Sequence, residues 1–410
     1  MFKKFNSKED LITYINTSEK DYSDYRNGKF DFENCEFTFE VDFSFILREF
    51  DRRVSFKGAK FERKTAFDNL IFQSNVTFEN CYFNEEVSFN KTVFQGVSIF
   101  PHFFNNANFK GAKFLSTTSF PKSYPQNINL SNCFFKEELD LSYCKFDQEF
   151  NFYNSTFEKT VNFEAAIFNK KVNAWNTSFK SNLNFKWANF REKLNLTDSF
   201  IKKGKTIFFG TNFENNVYFY NTQFKKIDLK NSVIEKGVYF LGSKIEKCNR
   251  ETSRIIKNQF LKQNNRIESL KYHHKEMASY YRELLYDLYL NFTKANLWRL
   301  LKNIGDLTVL TLNFLSNGFG LWWFSAVIFL FITTSLIFHF YLTSVNLNIS
   351  YDQIDYWKYY FQFIVPTHKF SFIEGVTPTA KSVIIDYFGR VVSAFGIYQT
   401  VQAFRKFGKI

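Results

Sequence analysis

Four polar residues interrupt a hydrophobic stretch near the end of this sequence, between Val383 and Phe404. They are Asp386, Arg390, Gln399 and Gln402. Because residues i and i+4 share one face of a helix, Asp386 and Arg390 are placed to form an ion pair. A charge inside a membrane is costly and usually faces the interior of a helical bundle or a water-filled path. The four residues are therefore candidates for the lining of a pore or of a bundle interior.

A second interpretation of the same charges stays open. If the hydrophobic helix begins only near Gly389, then Asp386 and Arg390 lie at the membrane interface. Charged side chains are far less costly there, and the pair would need no buried partner. The sequence alone weighs these two interpretations equally.

Thr367 and His368 form a second group of candidates, in the loop that precedes this stretch. The aromatic segment 355–364 ahead of them is predicted to form a short helix that Pro366 stops. We expect the two residues to lie in an exposed extracellular loop. The alternative is a re-entrant loop in which they line a lumen.

The chain carries no motif typical of an enzyme. The sequence lacks the GxGxxG, GxxxxGKS/T, HExxH, GxSxG and CxxC patterns. The adjacent His273 and His274 point to different faces of a helix, so we expect an exposed polar pair rather than a metal site. Four cysteines stand two residues before a phenylalanine, where a small buried residue is expected: Cys35, Cys81, Cys133 and Cys144. We therefore expect a protein that is not an enzyme and has neither cofactor nor metal.

Phenylalanine recurs along the first half of the chain in alternating steps of five and six residues. Neither a helix nor a plain strand has this period, and a fixed short period over two hundred residues is typical of a solenoid. Alternate side chains of an extended segment share a side, so each phenylalanine and the small residue two positions before it point inward. The predicted core residues include Phe61, Phe72, Phe83, Phe146, Phe157, Phe168 and Phe179.

This pattern resembles the pentapeptide-repeat family over about half of the chain, from Phe32 to Ile245. The resemblance implies a right-handed, four-sided β-helix with one repeat unit on each side. Every second unit here has one extra residue, which predicts coils of 22 residues, about ten coils, and a bulged corner on every second side. The count is interrupted at 48–51, 101–102, 119–126 and 202–205, where we expect loops that bulge from corners.

The second half of the chain is predicted to be helical and to enter a membrane. Helical periodicity from Arg250 to Leu290, broken at Asn264-Asn265, predicts a hairpin, and 298–317 predicts an interfacial or packed helix. Residues 319–342 contain no Asp, Glu, Lys or Arg and are long enough to span a bilayer. The stretch 383–404 is the second predicted span.

The predicted domains are an N-terminal helical cap (1–29), the β-helix (30–248), a helical hairpin with interfacial linker (249–317) and a two-span module (318–410). Basic residues before the first span and after the second place both termini in the cytoplasm by the positive-inside rule. We therefore expect a multi-pass protein of the plasma membrane. The absence of an apolar segment at the start is consistent with a cytoplasmic β-helix.

The order of elements in the last part resembles two-span potassium channels, as a degenerate relative, over about 318–409. Where that family has TVGYG, this chain has Val365-Pro366-Thr367-His368-Lys369. This segment cannot present the ring of carbonyl groups that selects potassium, so the resemblance implies a channel-like layout without potassium selectivity.

The net charge of +13 raises the question of nucleic acid. Some pentapeptide-repeat proteins are thought to mimic DNA with an acidic rod, whereas this chain is basic, and its basic residues are scattered rather than gathered in one stripe. Nucleic-acid binding is therefore not expected.

Two functions from different classes remain open. The first is an ion-conducting or membrane-permeabilising pore, a homo-oligomer in which the β-helix acts as a cytosolic sensor. The second is a membrane-tethered scaffold, whose spans only anchor a β-helix that binds a protein partner. Membrane lipid is a partner in both.

Overall fold

The computed structural model describes residues 3–20, 28–124, 126–292 and 297–405. The chain divides into two compact units, residues 1–259 and residues 260–410. The first unit is a β-solenoid of about ten coils, and the second is built from helices. The division lies beyond the predicted boundary at residue 248, because helix α2 (Arg250–Lys262) begins on the last coil.

Most coils of the solenoid contribute short strands to four faces; the coil that contains 101–104 has none on the second face. Strands of one face pair in parallel with strands one coil away, as in the pairs Phe61↔Phe83 and Val76↔Ser98. One face carries an unbroken ladder of ten strands. A solenoid of about ten turns with coils of about 22 residues confirms both the predicted coil length and the predicted number of coils.

The strands divide among the four faces. The first face has Lys29–Asp31, Arg53–Ser55, Val76–Thr77, Ser98–Ile99, Thr118–Ser119, Leu139–Asp140, Val161–Asn162 and Leu183–Asn184. The second has Lys4–Phe5, Glu36–Phe37, Lys60–Phe61, Tyr82–Phe83, Ser123–Tyr124, Lys145–Phe146, Ile167–Phe168, Asn189–Phe190, Asn212–Phe213 and Val233–Ile234. The third has Val41–Asp42, Thr65–Ala66, Val87–Ser88, Ala107–Asn108, Ile128–Asn129, Phe150–Asn151, Val172–Asn173, Leu194–Asn195, Val217–Tyr218 and Val238–Tyr239. The fourth has Glu49–Phe50, Ile71–Phe72, Val93–Phe94, Lys113–Phe114, Phe134–Phe135, Thr156–Phe157, Ser178–Phe179, Phe200–Ile207, Gln223–Asp228 and Lys244–Cys248.

The core of the solenoid is a set of stacked phenylalanine rings. Rings one coil apart lie nearly parallel: Phe56 and Phe78 are 5.1 Å apart at 3°, and Phe163 and Phe185 are 4.9 Å apart at 5°. Offset stacking of this kind adds to the free energy gained from burying each ring. All seven predicted core phenylalanines are at most 3% exposed: Phe61, Phe72, Phe83, Phe146, Phe157, Phe168 and Phe179.

Two kinds of corner alternate along each coil. One kind holds a residue in the left-handed region, such as Asn69 at φ 58° and Asn80 at φ 55°, and lies within the five-residue steps. Asparagine tolerates this conformation better than most residues, which explains its recurrence here. The other kind, such as residues 62–64 between Phe61 and Thr65, holds the extra residue of the six-residue steps. The extra residue of each six-residue step therefore lies in this second kind of corner, where the sequence predicted a β-bulge.

In several coils the small buried residue also donates a hydrogen bond, a role that the sequence did not suggest. Thr92 Oγ1 donates to Phe67 O at 2.7 Å, Ser155 Oγ donates to Leu130 O at 2.7 Å, and Cys133 Sγ donates to Phe109 O at 3.0 Å. A buried carbonyl without a partner is costly, so this position favours small residues that carry a donor. The cysteines occupy the same position as serine and threonine.

Two of the predicted interruptions of the repeat, at 48–51 and 202–205, are built differently in the structure. The insertion at 48–51 is present, because the step from Glu36 to its partner Lys60 is longer than the next step, from Lys60 to Tyr82. At 202–205 the extra residues form a bulge inside a strand rather than a separate loop. These residues belong to the continuous strand Phe200–Ile207, which turns the corner while it pairs with Gln223–Asp228, with a register shift between Ile201 and Lys205. The strand advances by four residues from Ile201 to Lys205 while its partner advances by two, from Phe224 to Lys226, so the extra residues bulge within the strand.

Helices cover both ends of the solenoid. Helix α1 (Lys8–Lys20) buries Leu11 and Ile15 against the first coil, and Tyr14 Oη donates to Asp31 O at 2.6 Å. Residues 21–27 of the predicted cap lie outside the described residues. At the other end, Thr252 Oγ1 accepts from Leu229 N at 2.8 Å. Such caps protect the amides that the terminal coils would otherwise expose.

A matched pair of threonines tests the polar positions of the core. Thr206 and Thr222 are both fully buried, but Thr222 Oγ1 donates to Leu196 O at 2.7 Å, whereas Thr206 Oγ1 has no partner among the described residues. We expect Thr206→Val to stabilise the solenoid, because valine has the same shape without a buried hydroxyl, and Thr222→Val to destabilise it, each by about 1 kcal/mol. The measurement is the melting temperature of each variant. A shift of the same sign in both variants would contradict the assignment of the two hydroxyls.

The cysteines provide a second test. Burial raises the pKa of the Cys133 thiol to about 12 and that of Cys144 to about 11, and it also raises the pKa of Cys35 and Cys81. Because the thiolate is the reactive form, these four should not react with a thiol reagent at pH 8 in the folded protein. We expect rapid reaction of Cys248 alone, which is half-buried, and of all five after denaturation. The Cys248→Ser variant should show no rapid reaction; rapid labelling of a second thiol would contradict the burial of this core.

The helical unit begins within α2, and its described residues form five further helices. They are α3 (Arg266–Phe292), α4 (Leu297–Asn317), α5 (Trp323–Ser344), α6 (Ile354–Ile364) and α7 (Ala380–Phe404); a short 3-10 helix, Phe43–Phe45, lies in the solenoid. The predicted break of the hairpin is present at Asn264, which has φ 57°. Among the described helices, α5 alone is long and apolar enough to cross a membrane by length and composition. Hydropathy therefore supports one of the two predicted spans.

Candidate polar clusters of the helical unit

Helices α5 and α7 lie side by side in opposite directions. The rings of Trp323 and Phe404 are 5.3 Å apart at one end, and Thr379 Oγ1 donates to Ser344 O at 3.4 Å at the other. Thr379 also caps α7, since its side chain accepts from Ser382 N. The helix therefore begins at Ala380 rather than near Gly389, and Asp386 and Arg390 both lie within it.

Small residues on the buried face of α7 let the neighbouring helices approach closely. A Cβ atom on Gly396 would lie 2.7 Å from Leu330 Cδ1 of α5, and one on Gly389 would lie 2.4 Å from Phe363 Cζ of α6. Ser393 lies between these glycines and is fully buried. Small residues at this spacing are typical of tightly packed helix pairs in membranes. α6 is thereby fixed against the middle of α7.

Three of the predicted candidates meet in one buried cluster, which we call the His–Asp–Arg cluster: His368, Asp386 and Arg390. His368 Nε2 lies 2.7 Å from Asp386 Oδ1, and their side chains are 5% and 2% exposed. Arg390 Nε donates to Asp386 Oδ2 at 3.0 Å; its Nη2 lies at the same distance without the geometry of a hydrogen bond. The guanidinium also lies 4.2 Å from the ring of Phe370. The carboxylate is therefore held between two basic groups.

His368 has a second contact besides Asp386. Its Nδ1 lies 2.7 Å from Val365 O, and its Nε2 lies 2.7 Å from Asp386 Oδ1. The imidazole therefore joins the loop before α7 to the helix itself.

Gln399 belongs to a second cluster, which we call the amide cluster. Its Nε2 donates to Asn313 Oδ1 at 2.8 Å, and its Oε1 accepts from Asn317 Nδ2. Asn317 is 1% and Gln399 is 3% exposed. Both asparagines lie on α4, so the amides hold α4 against α7. Buried amide groups that are hydrogen-bonded to one another specify one relative position of two helices more than they add to the overall stability of the fold.

The remaining candidates lie on the surface of the helical unit. Gln402 is exposed, and its Nε2 donates to Tyr398 Oη at 2.6 Å. Thr367 is exposed beside the buried His368 side chain. The prediction of an exposed His273-His274 pair is wrong for His274, which is half-buried, with Nδ1 3.2 Å from Gly318 O and its ring 5.6 Å from that of Trp322.

The sequence did not reveal one further polar contact. Tyr360 Oη of α6 lies 3.0 Å from Thr334 Oγ1 and donates to Phe331 O of α5 at 3.0 Å. Thr334 is fully buried in the middle of α5. α6 is thus joined to α5 by a hydroxyl and to α7 by the packing of Phe363. No group of three or more His, Cys, Asp or Glu side chains within the described ranges is placed to hold a metal ion.

The outward sides of α5 and α7 are apolar. The exposed apolar residues are Phe324, Ile328, Phe331, Ile332, Leu336 and Phe340 on α5, and Ile384, Tyr387, Phe388, Val391, Ile397, Tyr398 and Val401 on α7. In water such a surface would be unusual for a monomer. The unit therefore exposes apolar side chains along these two helices in addition to the apolar core that it buries, which includes Phe338 and Phe363.

No family model, curated protein or solved structure matches this chain. The resemblance to two-span potassium channels is therefore unsupported. The resemblance to pentapeptide-repeat proteins is supported by the geometry of the coils alone, since a solenoid of about ten turns with coils of about 22 residues is consistent with a four-sided β-helix of that kind.

Proposed function

We propose that this protein is a membrane-anchored scaffold, in which the helical unit holds the solenoid at a bilayer and the solenoid binds a protein partner. One observation carries the proposal. The charged and amide groups of α7 that suggested a pore, Asp386, Arg390 and Gln399, find their partners inside a single chain. A polar residue that is satisfied within its own bundle has no need of water or of a second copy.

The same pairing supports α7 as a second span. Its charges lower the mean hydropathy of the helix, but Asp386 is 1% exposed and Arg390 is half-buried against it. The outward side of α7 is apolar from Ile384 to Val401, and the 25 residues of the helix are enough to cross a bilayer. With two spans and basic residues flanking them, both termini lie in the cytoplasm and the protein is multi-pass in the plasma membrane. Two of those basic residues, Lys406 and Lys409, lie outside the described residues.

The third face of the solenoid is the surface that we assign to the partner. Its outward residues form a regular row of asparagines, in which Asn195 Nδ2 donates to Asn173 Oδ1 at 3.4 Å, followed by Tyr218 and Tyr239 with rings 5.3 Å apart. Tyr220 extends this aromatic group, at 6.0 Å from Tyr239. Tyrosines beside uncharged polar groups are typical of protein interfaces. Solenoids commonly bind partners through such repetitive surfaces.

A second function, an ion-conducting homo-oligomer, is favoured by the placement of α6. This helix has 11 residues, too few to cross a bilayer, and it packs against both α5 and α7. A short helix between two spans is the arrangement of a re-entrant segment, which lines a pore when several copies surround an axis.

The mass of the protein in nanodiscs and the ion permeability of liposomes that contain it separate the two functions. The scaffold predicts a monomer and tight liposomes, together with a partner that cross-links to the wild type and not to a Tyr218→Ala, Tyr239→Ala variant. Lys225→Ala, on another face, is the matched control. A defined oligomer that passes ions would overturn the scaffold in favour of the pore.

A further inference from the structure

A small cleft between α3 and α4 has no role in the scaffold. It has a volume of about 280 Å³ and is lined by Ala278, Tyr281, Arg282, Thr311, Phe314 and Phe319. Its walls are almost entirely apolar, since Thr311 Oγ1 already donates to Leu307 O at 2.7 Å within its own helix. The cleft is thus shaped for a hydrocarbon group rather than for a polar ligand.

Arg282 places a positive charge at the mouth of this cleft. The side chain is exposed, and its Nε donates to Ala278 O at 3.1 Å. No carboxylate forms an ion pair with Arg282 among the described residues. The remaining donors of the guanidinium are in reach of solvent, in a planar fork that suits phosphate. An apolar cleft beside one basic group matches a ligand with a hydrocarbon tail and an anionic head.

The position of the cleft in the helical unit indicates where that ligand comes from. The ring of Phe314 lies 5.6 Å from that of Trp322, which immediately precedes α5. Tryptophans at the start of a span mark the headgroup region of a bilayer. α4 also exposes a row of apolar side chains: Trp298, Leu301, Ile304, Val309, Leu312 and Leu315. An amphipathic helix with such a row lies in the membrane interface.

We propose that the cleft between α3 and α4 binds one acyl chain of an anionic phospholipid, with the phosphate of its headgroup on Arg282. The proposal rests on the membrane location proposed above. α4 would then lie in the interface, and the lipid would fill the space between it and α3. This site gives the protein a preference for anionic membranes beyond the attraction of its net positive charge.

The test uses the full-length protein in nanodiscs that contain a phospholipid with a photoreactive acyl chain, and mass spectrometry of the cross-linked peptides. We expect cross-links on α3 near Ala278, about fivefold more with phosphatidylglycerol than with phosphatidylcholine. Arg282→Gln should remove this preference and Arg282→Lys should retain most of it. Ala278→Leu and Ala278→Trp should reduce the α3 cross-links by filling the cleft.

The cross-links on α5 separate the possible failures. Cross-links on α5 without any on α3 would show that the unit lies in the bilayer and that the cleft is empty, which overturns this proposal alone. Equal cross-linking of α3 by both lipids would overturn the role of Arg282. An absence of cross-links on both helices would overturn the membrane location itself.

Discussion

Replacing Asp386 with asparagine is expected to destabilise the helical unit by about 3–5 kcal/mol, because the guanidinium of Arg390 loses the buried carboxylate with which it pairs. His368 and Arg390 both face this carboxylate, and neither can reach bulk water freely. The measurement is the melting temperature of the purified protein in detergent, followed by tryptophan fluorescence. An unchanged melting temperature would show that the His–Asp–Arg cluster does not hold the loop before α7 in place.

A triple variant separates a structural role of the cluster from a functional one. Replacing the whole cluster, as His368→Phe, Asp386→Leu and Arg390→Met, removes all its charges together and keeps a similar volume. Buried ion pairs replaced in this way often keep or gain stability. We expect the melting temperature to return close to that of the wild type. If the protein were to conduct ions and the folded triple variant did not, the cluster would belong to the conduction path rather than to the anchor.

The second large effect is expected from Phe163→Ala in the solenoid core. Phe163 is 1% exposed and stacks on Phe185, so its removal leaves a cavity between coils and costs about 3–5 kcal/mol. Because each coil contacts its neighbours, the loss should spread to adjacent coils and fade with distance. Hydrogen exchange read by mass spectrometry should become faster in Val161–Asn162 and in the strands paired with it, and remain unchanged in α7.

Phe45→Ala is the matched control for this variant. Phe45 has the same side chain but is 77% exposed, so its removal should change neither the melting temperature nor the exchange. If Phe163→Ala and Phe45→Ala lowered the melting temperature equally, the assignment of the recurrent phenylalanines to the core would be contradicted.

The solenoid was predictable because its period is directly visible in the sequence. The pattern of five and six residues repeats twice per coil, so Phe61 and Phe83, 22 residues apart, must face the same side at successive turns. The corners were predicted less well, although a signal was present. Asn69, Asn80 and Lys91 recur at a spacing of half a coil and all have φ between 55° and 58°. A search for asparagine and glycine at that spacing would have found the left-handed corners.

The extra residues at 202–205 were predictable because a run of lysine and glycine interrupts the count of the repeat. The continuous strand around them was not, because composition does not reveal that Ile201 and Lys205 both pair with the next coil. The pairing on either side keeps Phe200–Ile207 one strand with a bulge inside it.

The polar clusters were predictable only where both partners lie on one helix. Asp386 and Arg390 are four residues apart, and helical geometry alone brings them together. His368 reaches Asp386 from the loop between α6 and α7, and Asn313 of α4 reaches Gln399 of α7 across two intervening helices and their loops. No periodicity links such positions. Composition and spacing could therefore name the candidates, but the packing of α5, α6 and α7 decided their partners.

The central claim is that α5 and α7 both cross the bilayer and leave the solenoid and the end of α7 on one side. We would test it by the reaction of a membrane-impermeant maleimide with single cysteines in spheroplasts, in a Cys248→Ser background. We predict that Ser350→Cys, between α5 and α6, reacts in intact spheroplasts, and that Lys225→Cys and Arg405→Cys react only after permeabilisation. Reaction of Arg405→Cys in intact spheroplasts, or of Ser350→Cys only after permeabilisation, would contradict the claim.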